Sequence, residues 1–179
     1  MESLIDDYAS EWPGQFAEVA GQLRAAVGDL AVRIDHIGST AVPGLAAKPI
    51  IDIQVSVLSL DPVSVYRDRI ESCGFAWRPE NPERTKRYFR EVPPRPRTHL
   101  HVRRAGSFSE QFALLFRDYL RAHQAQAEEF AAAKRSIAHL LLNDRAAYVD
   151  AKDPLVWKIV READDWAQLT GWQPGPSDA

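Results

Sequence analysis

Cysteine is almost missing from this 179-residue chain, with Cys73 standing alone. One thiol cannot close an internal disulfide, so a secreted disulfide scaffold is excluded, as is a zinc cluster built on several thiolates. A reducing, cytoplasmic setting is expected. Long apolar runs are missing too: none approaches the ~18 residues that a membrane-crossing helix needs, and no membrane partner is expected. The first residues carry Glu2, Asp6, Asp7 and Glu11 with no basic start and no apolar stretch, so no signal peptide is read there. Internal repeats are lacking, as are the regularly spaced strand–helix–strand units of a Rossmann sheet. What is present, 45% hydrophobic and 26% charged residues, suffices to bury a core and excludes disorder for most of the chain.

Charge is unevenly placed. The formal net charge is −3, yet residues 84–104 alone sum to +7 and the remainder to −10. The basic stretch holds Arg84, Lys86, Arg87, Arg90, Arg95, Arg97, Arg103 and Arg104 against one acid, Glu91. An anionic ligand near the middle of the chain would explain it, and so would a solvated arginine-rich hairpin. Only Tyr88 and Phe89 interleave as aromatics there, so extended nucleic acid is disfavoured as a partner.

The periodicities predict an α+β fold. Phe16, Val19, Ala20, Leu23 and Val27 recur at helical spacing after Pro13, and Gly28-Asp29 closes that helix. A strand is expected at 31–37, with Val32, Ile34 and His36 on one face. The clearest strand is 50–57, where Ile51, Ile53, Val55 and Val57 point one way and Ile50, Asp52, Gln54 and Ser56 the other. Asp61-Pro62 reads as a cap followed by proline at the start of a helix that runs to about Cys73. Strands are expected near 75–78, at 86–92 and at 98–104, the last with Leu100 and Val102 opposite His99, His101 and Arg103. From Ser107 the pattern turns helical, with Phe108, Phe112, Leu115, Phe116, Tyr119 and Leu120 as one stripe. Asp153-Pro154 is expected to start a last helix. One domain is expected over residues 1–170, a mixed sheet flanked by helices with a helical C-terminal third, followed by a frayed tail at 171–179.

Residues 35–55 carry the most chemistry. A Gly38-Ser39 pair just after a strand can offer backbone N–H groups and a hydroxyl to a phosphate, as can the adjoining Thr40. Lys48 could meet the same phosphate as a point charge. Asp52, on the polar side of the next strand, is suited to a divalent cation, Mg²⁺ or Mn²⁺. For a dipeptide alone an ordinary turn is the simpler reading.

The longer segment HIGSTAVPGLAAKPIIDI, residues 36–53, resembles the GrpB family. The resemblance continues through RYFR at 87–90, THLHV at 98–102, FRDYLRAH at 116–123 and YVDAKDPLVWKI at 148–159. It implies a nucleotidyltransferase (polymerase-beta-like) fold, and related domains are fused to dephospho-coenzyme A kinase in some bacteria. Enzymes of that superfamily place two acids at alternate strand positions roughly a dozen residues after Gly-Ser. Here Asp52 matches the first, and Gln54 stands at the second. Where a later strand ordinarily gives a third acid, this chain has His99 and His101.

Three readings of that polar face stand side by side. Asp52, His99 and His101 could bind one borderline metal, with Asp52 and His101 as the core ligands. A histidine could act as general acid or base beside a lone carboxylate. Or the histidines could simply hydrogen-bond a phosphate or base. Asp52, His99 and His101 are the catalytic candidates; Arg87 and Arg103 are expected to share their face and attract an anion. His36 is expected to be a buried residue that orders the loop, and Arg117 and Arg121 to sit on a solvated helix face. The implied ligand is a nucleotide or another small phosphorylated molecule.

Overall fold

β2 (Ile51–Val57) alternates apolar and polar residues, yet both of its faces are covered. The computed structural model describes residues 4–179; Glu2 of the acidic N-terminus lies outside them. Among the described residues, β1 (Ala31–Ile37), β2, β3 (Phe75–Trp77), β4 (Lys86–Glu91) and β5 (Thr98–Arg104) form one sheet in the order β1-β2-β5-β4-β3. The β2–β5 pair is parallel and the others are antiparallel, so the sheet is mixed as expected.

Two apolar layers clasp it. On one face, α1 (Trp12–Val27) and α2 (Ser64–Ser72) pack Phe16, Leu23, Tyr66 and Ile70 onto Ile51, Ile53, Phe89 and Leu100. Over the other lies the C-terminal third: α3 (Phe108–Ala122), α4 (Gln124–Ile137) and α5 (Arg145–Thr170). There Phe116, Leu120, Phe130 and Ile159 close over Val42 and Leu45 of the 38–50 loop. The polar side of β2 is therefore interior: Gln54 and Ser56 are fully buried. No helix among the described residues is long and apolar enough to cross a membrane.

Several expectations are corrected. Val32 does not share the buried face of Ile34, because the β1–β2 register shifts between Ala31 and Arg33 and leaves Val32 47% exposed. Asp61 caps no helix: α2 starts at Ser64, and the Asp61 carboxylate accepts from Arg87 instead. Pro154 lies inside α5, whose start is capped by Asp144 accepting from Ala147 N at 2.9 Å. Phe108, at the head of the α3 stripe, is 74% exposed. Arg117 is buried rather than solvated, donating to His36 O and Asp178 Oδ2.

The tail is also corrected. Residues 175–179, expected to fray, lie along the open edge of β1. Ile34 N donates to Ser177 Oγ (2.8 Å), His36 N to Asp178 Oδ2 (2.9 Å) and Ala179 N to Ile34 O (3.1 Å). A sheet edge presents unpaired backbone groups, and this segment satisfies them.

Candidate functional site

β1 ends at Ile37 and the chain turns through Gly38, whose φ of 73° and ψ of −171° belong to a region open essentially to glycine. A short 3₁₀ turn, Ser39–Ala41, then carries it over the start of β2. His36 and Thr40 brace the turn: His36 Nε2 meets Thr40 Oγ1 at 3.0 Å, and that hydroxyl donates to Ile50 O at 3.2 Å. His36 also stacks on Phe16, and burial pushes its imidazole down to about 4. His36 thus orders the loop as expected. Thr40 spends its hydroxyl within the loop.

Below the turn, parallel pairing sets Asp52 beside His99 and Gln54 beside His101. His99 Nδ1 lies 3.3 Å and His101 Nε2 3.2 Å from Asp52 Oδ1. Among the described residues these three form the group able to hold a metal ion, their ligand atoms all within 4.8 Å of one another. Burial, the largest influence, raises the Asp52 carboxyl, but hydrogen bonds from His101 and His99 outweigh it and hold the carboxyl well below its usual range. Burial likewise takes His101 down to about 4, leaving it neutral near pH 7, the form that can bind a metal. Tyr88, carried opposite His101 by the β4–β5 pairing, sets its ring 5.7 Å from that of His99 and 5.4 Å from that of His101.

Two arginines separate. Arg103 Nη1 donates to Gln54 Oε1 at 2.6 Å, beside Asp52. Arg87 does not share that face, because it pairs with Val102 across β4–β5 and so points to the α2 side, where it binds Asp61. The sequence counts two residues per face correctly along one strand; which face of β4 aligns with which face of β5 depends on register.

A cavity of about 520 Å³ opens above Asp52, floored by Gly38, Ser39, Asp52, His99, His101 and Arg103. Its roof comes from the C-terminal helices and went unread in the sequence. Lys134 of α4 donates to Ser39 Oγ (3.0 Å) and Ala46 O (2.6 Å). Burial, helped by Lys152, Arg135 and Lys48, pushes its ammonium down to about 7. Lys48 lies half-buried with its Nζ 4.5 Å above the Tyr148 ring, and Lys152 lines the same wall. Phe112 and Trp157 form an aromatic flank, ring centroids 5.6 Å apart. The one sequence signal for Lys134 was a lysine on the apolar side of a helix, in register with Phe130.

The arrangement offers cations and backbone donors to a phosphate, an aromatic flank to a planar group, and a carboxylate with two imidazoles between them. A pair of Mg²⁺ ions does not fit this donor set. Hard ions of that kind need several anionic oxygens, and here Gln54 stands at the second acid position with its amide already bound to Arg103.

Comparison with known proteins places these observations. A dephospho-CoA kinase of Mycolicibacterium paratuberculosis is 35% identical over 190 residues, covering 92% of this chain and 46% of that protein. The chain thus spans about half the length of such relatives. The crystal structure of the conserved protein GrpB from Enterococcus faecalis superposes with a TM-score of 0.80 at 32% identity, covering 90% of this chain and 99% of that one. The Cid1 poly(U) polymerase with MgGTP bound shares the fold at 12% identity and a TM-score of 0.53, over 75% of this chain and 43% of its own. The mixed sheet and its helices are therefore those of a nucleotidyltransferase fold. The GrpB protein family model matches residues 3–162, and the chain belongs to the GrpB family.

Proposed function

We propose that the cavity binds a nucleotide or a closely related phosphorylated small molecule, with its phosphates between the Gly38-Ser39 turn and the lysine wall. The observation that carries this reading is the placement of Lys48, Lys134 and Lys152 around one cavity whose floor is the Ser39 turn. Lys134 is buried and Lys48 and Lys152 partly so; cations of one sign crowded in this way repel each other, and an anion relieves that cost. The aromatic flank of Phe112 and Trp157 suits a base, since stacking on an aromatic side chain contributes ~1–3 kcal/mol per base. Nucleotidyl transfer is the reaction best matched to this fold. In it, Ser39 N–H and Lys134 would hold phosphate oxygens, and Asp52 with neutral His101 beside it would hold a cation that eases deprotonation of an attacking hydroxyl. A divalent cation on Asp52 belongs to the same reading, Mn²⁺ suiting imidazole neighbours better than Mg²⁺. Nucleotides and a lone buried thiol, Cys73, both suit a cytoplasmic setting.

A second reading keeps the ligand and drops the chemistry: a non-catalytic accessory protein, in line with the relative named dephospho-CoA kinase. Gln54 in place of an acid favours it. Calorimetric titration with ATP, CTP, coenzyme A precursors and inorganic tripolyphosphate, with and without Mn²⁺, separates the two. Metal-dependent turnover that Asp52→Ala abolishes supports transfer; tight binding with neither product nor metal requirement supports the accessory role. If neither nucleotide nor tripolyphosphate binds, the phosphate site is wrong.

A further inference from the structure

The polar face of β2 and β5 offers one carboxylate where a pair of hard ions needs several, and it sets a guanidinium beside the second position. We propose that this site takes a single imidazole-accepting divalent ion, of the Zn²⁺ or Mn²⁺ class, on Asp52, His99 and His101, with Arg103 standing permanently in place of a second cation. The proposal deepens the phosphate-ligand reading and rests on it for the purpose of the site.

Geometry supports the first half. Ligand atoms ~2.1 Å from a tetrahedral ion stand ~3.4 Å apart, and the two histidine nitrogens lie 3.3 and 3.2 Å from Asp52 Oδ1. The rings are held by neighbours: Tyr88 lies against both, and the two imidazoles meet edge to face at 6.4 Å. The far nitrogens, His99 Nε2 and His101 Nδ1, are buried with no protein partner, and each can carry the ring proton while the near nitrogen ligates. Imidazole is a poor ligand for Mg²⁺ and a good one for Zn²⁺ or Mn²⁺.

Charge supports the second half. The amide of Gln54 is fully buried, with its oxygen receiving Arg103 at 2.6 Å and its nitrogen reaching Glu110 O at 3.4 Å. An ion at that position would meet a neutral, occupied oxygen and a fixed positive charge. The guanidinium instead gives a phosphate oxygen the positive charge a second ion would have given, with no ion to bind or lose.

The test uses the metal alone on chelator-stripped protein, read by calorimetry, elemental analysis and the electron paramagnetic resonance of Mn²⁺. One ion per chain is expected, with a 100-fold excess of Mg²⁺ failing to displace it. His99→Ala and His101→Ala should each weaken binding more than ~100-fold, beyond the ~10–100-fold that loss of an outer-shell contact gives. Gln54→Asp/Arg103→Leu should gain a second equivalent that accepts Mg²⁺, with near-UV circular dichroism reporting whether that variant is folded. Two ions per folded wild-type chain, equal competition by Mg²⁺, or undiminished binding by both histidine variants overturns the proposal, whether or not the double variant folds. Because no nucleotide is present, a failure here is distinct from a failure of the nucleotide and tripolyphosphate titrations.

Discussion

The Asp52 carboxylate occupies the space that any side chain at position 38 would need: a Cβ built on Gly38 falls 2.7 Å from Asp52 Oδ2. The floor of the cavity and the turn above it are thus in contact through a residue that has no side chain. The site depends on that absence twice, since Gly38 also holds a backbone conformation other residues avoid.

Gly38→Ala should cost more stability than Gly44→Ala and should also displace Asp52. Gly44 has a φ of 77° but nothing within 4 Å of an added Cβ, so its alanine variant reads backbone strain alone, on the order of 1 kcal/mol. Urea unfolding of both variants measures the difference, and metal titration of Gly38→Ala should show weakened binding. Equal stability losses and intact binding would show that the close approach has no consequence.

Lys134 predicts a pH dependence of folding. Its pKa falls to about 7 in the folded chain against an ordinary 10.5, so between these values the unfolded chain binds the proton more tightly. Stability should therefore climb as pH rises from about 7 toward 10.5, at up to ~1.4 kcal/mol per pH unit from this one group. Lys134→Met should flatten that slope in chemical denaturation at pH 7 and 9.5. A parent-like slope in the variant assigns the effect elsewhere.

Asp178→Ala should release the tail. Its carboxylate accepts from His36 N and from Arg117, a buried cation that keeps Asp118 and Asp35 as remaining partners. A loss of ~1–3 kcal/mol is expected, with faster proteolysis and amide exchange confined to residues 172–179 and the edge of β1. Unchanged exchange there would mean the tail is held by Ser177 and Ala179 alone.

Arg103 and Arg87 make a contrasting pair. Arg103→Leu should weaken tripolyphosphate binding about 10-fold or more, because the guanidinium lines the cavity. Arg87→Ala should leave binding unchanged and cost at most ~1 kcal/mol, the range for exposed ion pairs such as its contact with Asp61. Matching losses of affinity in the two would overturn the face assignment.

Strand identities were legible in the sequence because alternation records which side of a strand is apolar. Ile51, Ile53, Val55 and Val57 against Asp52 and Gln54, or Leu100 and Val102 against His99 and His101, marked both the strands and the polar face whose Asp52, His99 and His101 line the cavity. The lone Cys73 by itself excluded an internal disulfide and a zinc cluster of several thiolates. The motif around Gly38-Ser39 and Asp52 pointed to the correct family.

Tertiary structure decided what lies across from what. Register placed Tyr88 rather than Arg87 with the histidines, since one residue of slip exchanges the faces of a whole strand. Helix packing brought Lys134 to Ser39 across 95 positions, the parallel pairing of β2 with β5 set Gln54 against Arg103 across 49, and no local pattern encodes such separations. The prolines and glycines of the tail form no regular element and predict fraying; the segment is held because β1 leaves an edge to be satisfied. Local periodicity determines the elements of this protein, while charge complementarity between distant segments, visible only once they are packed, determines the site.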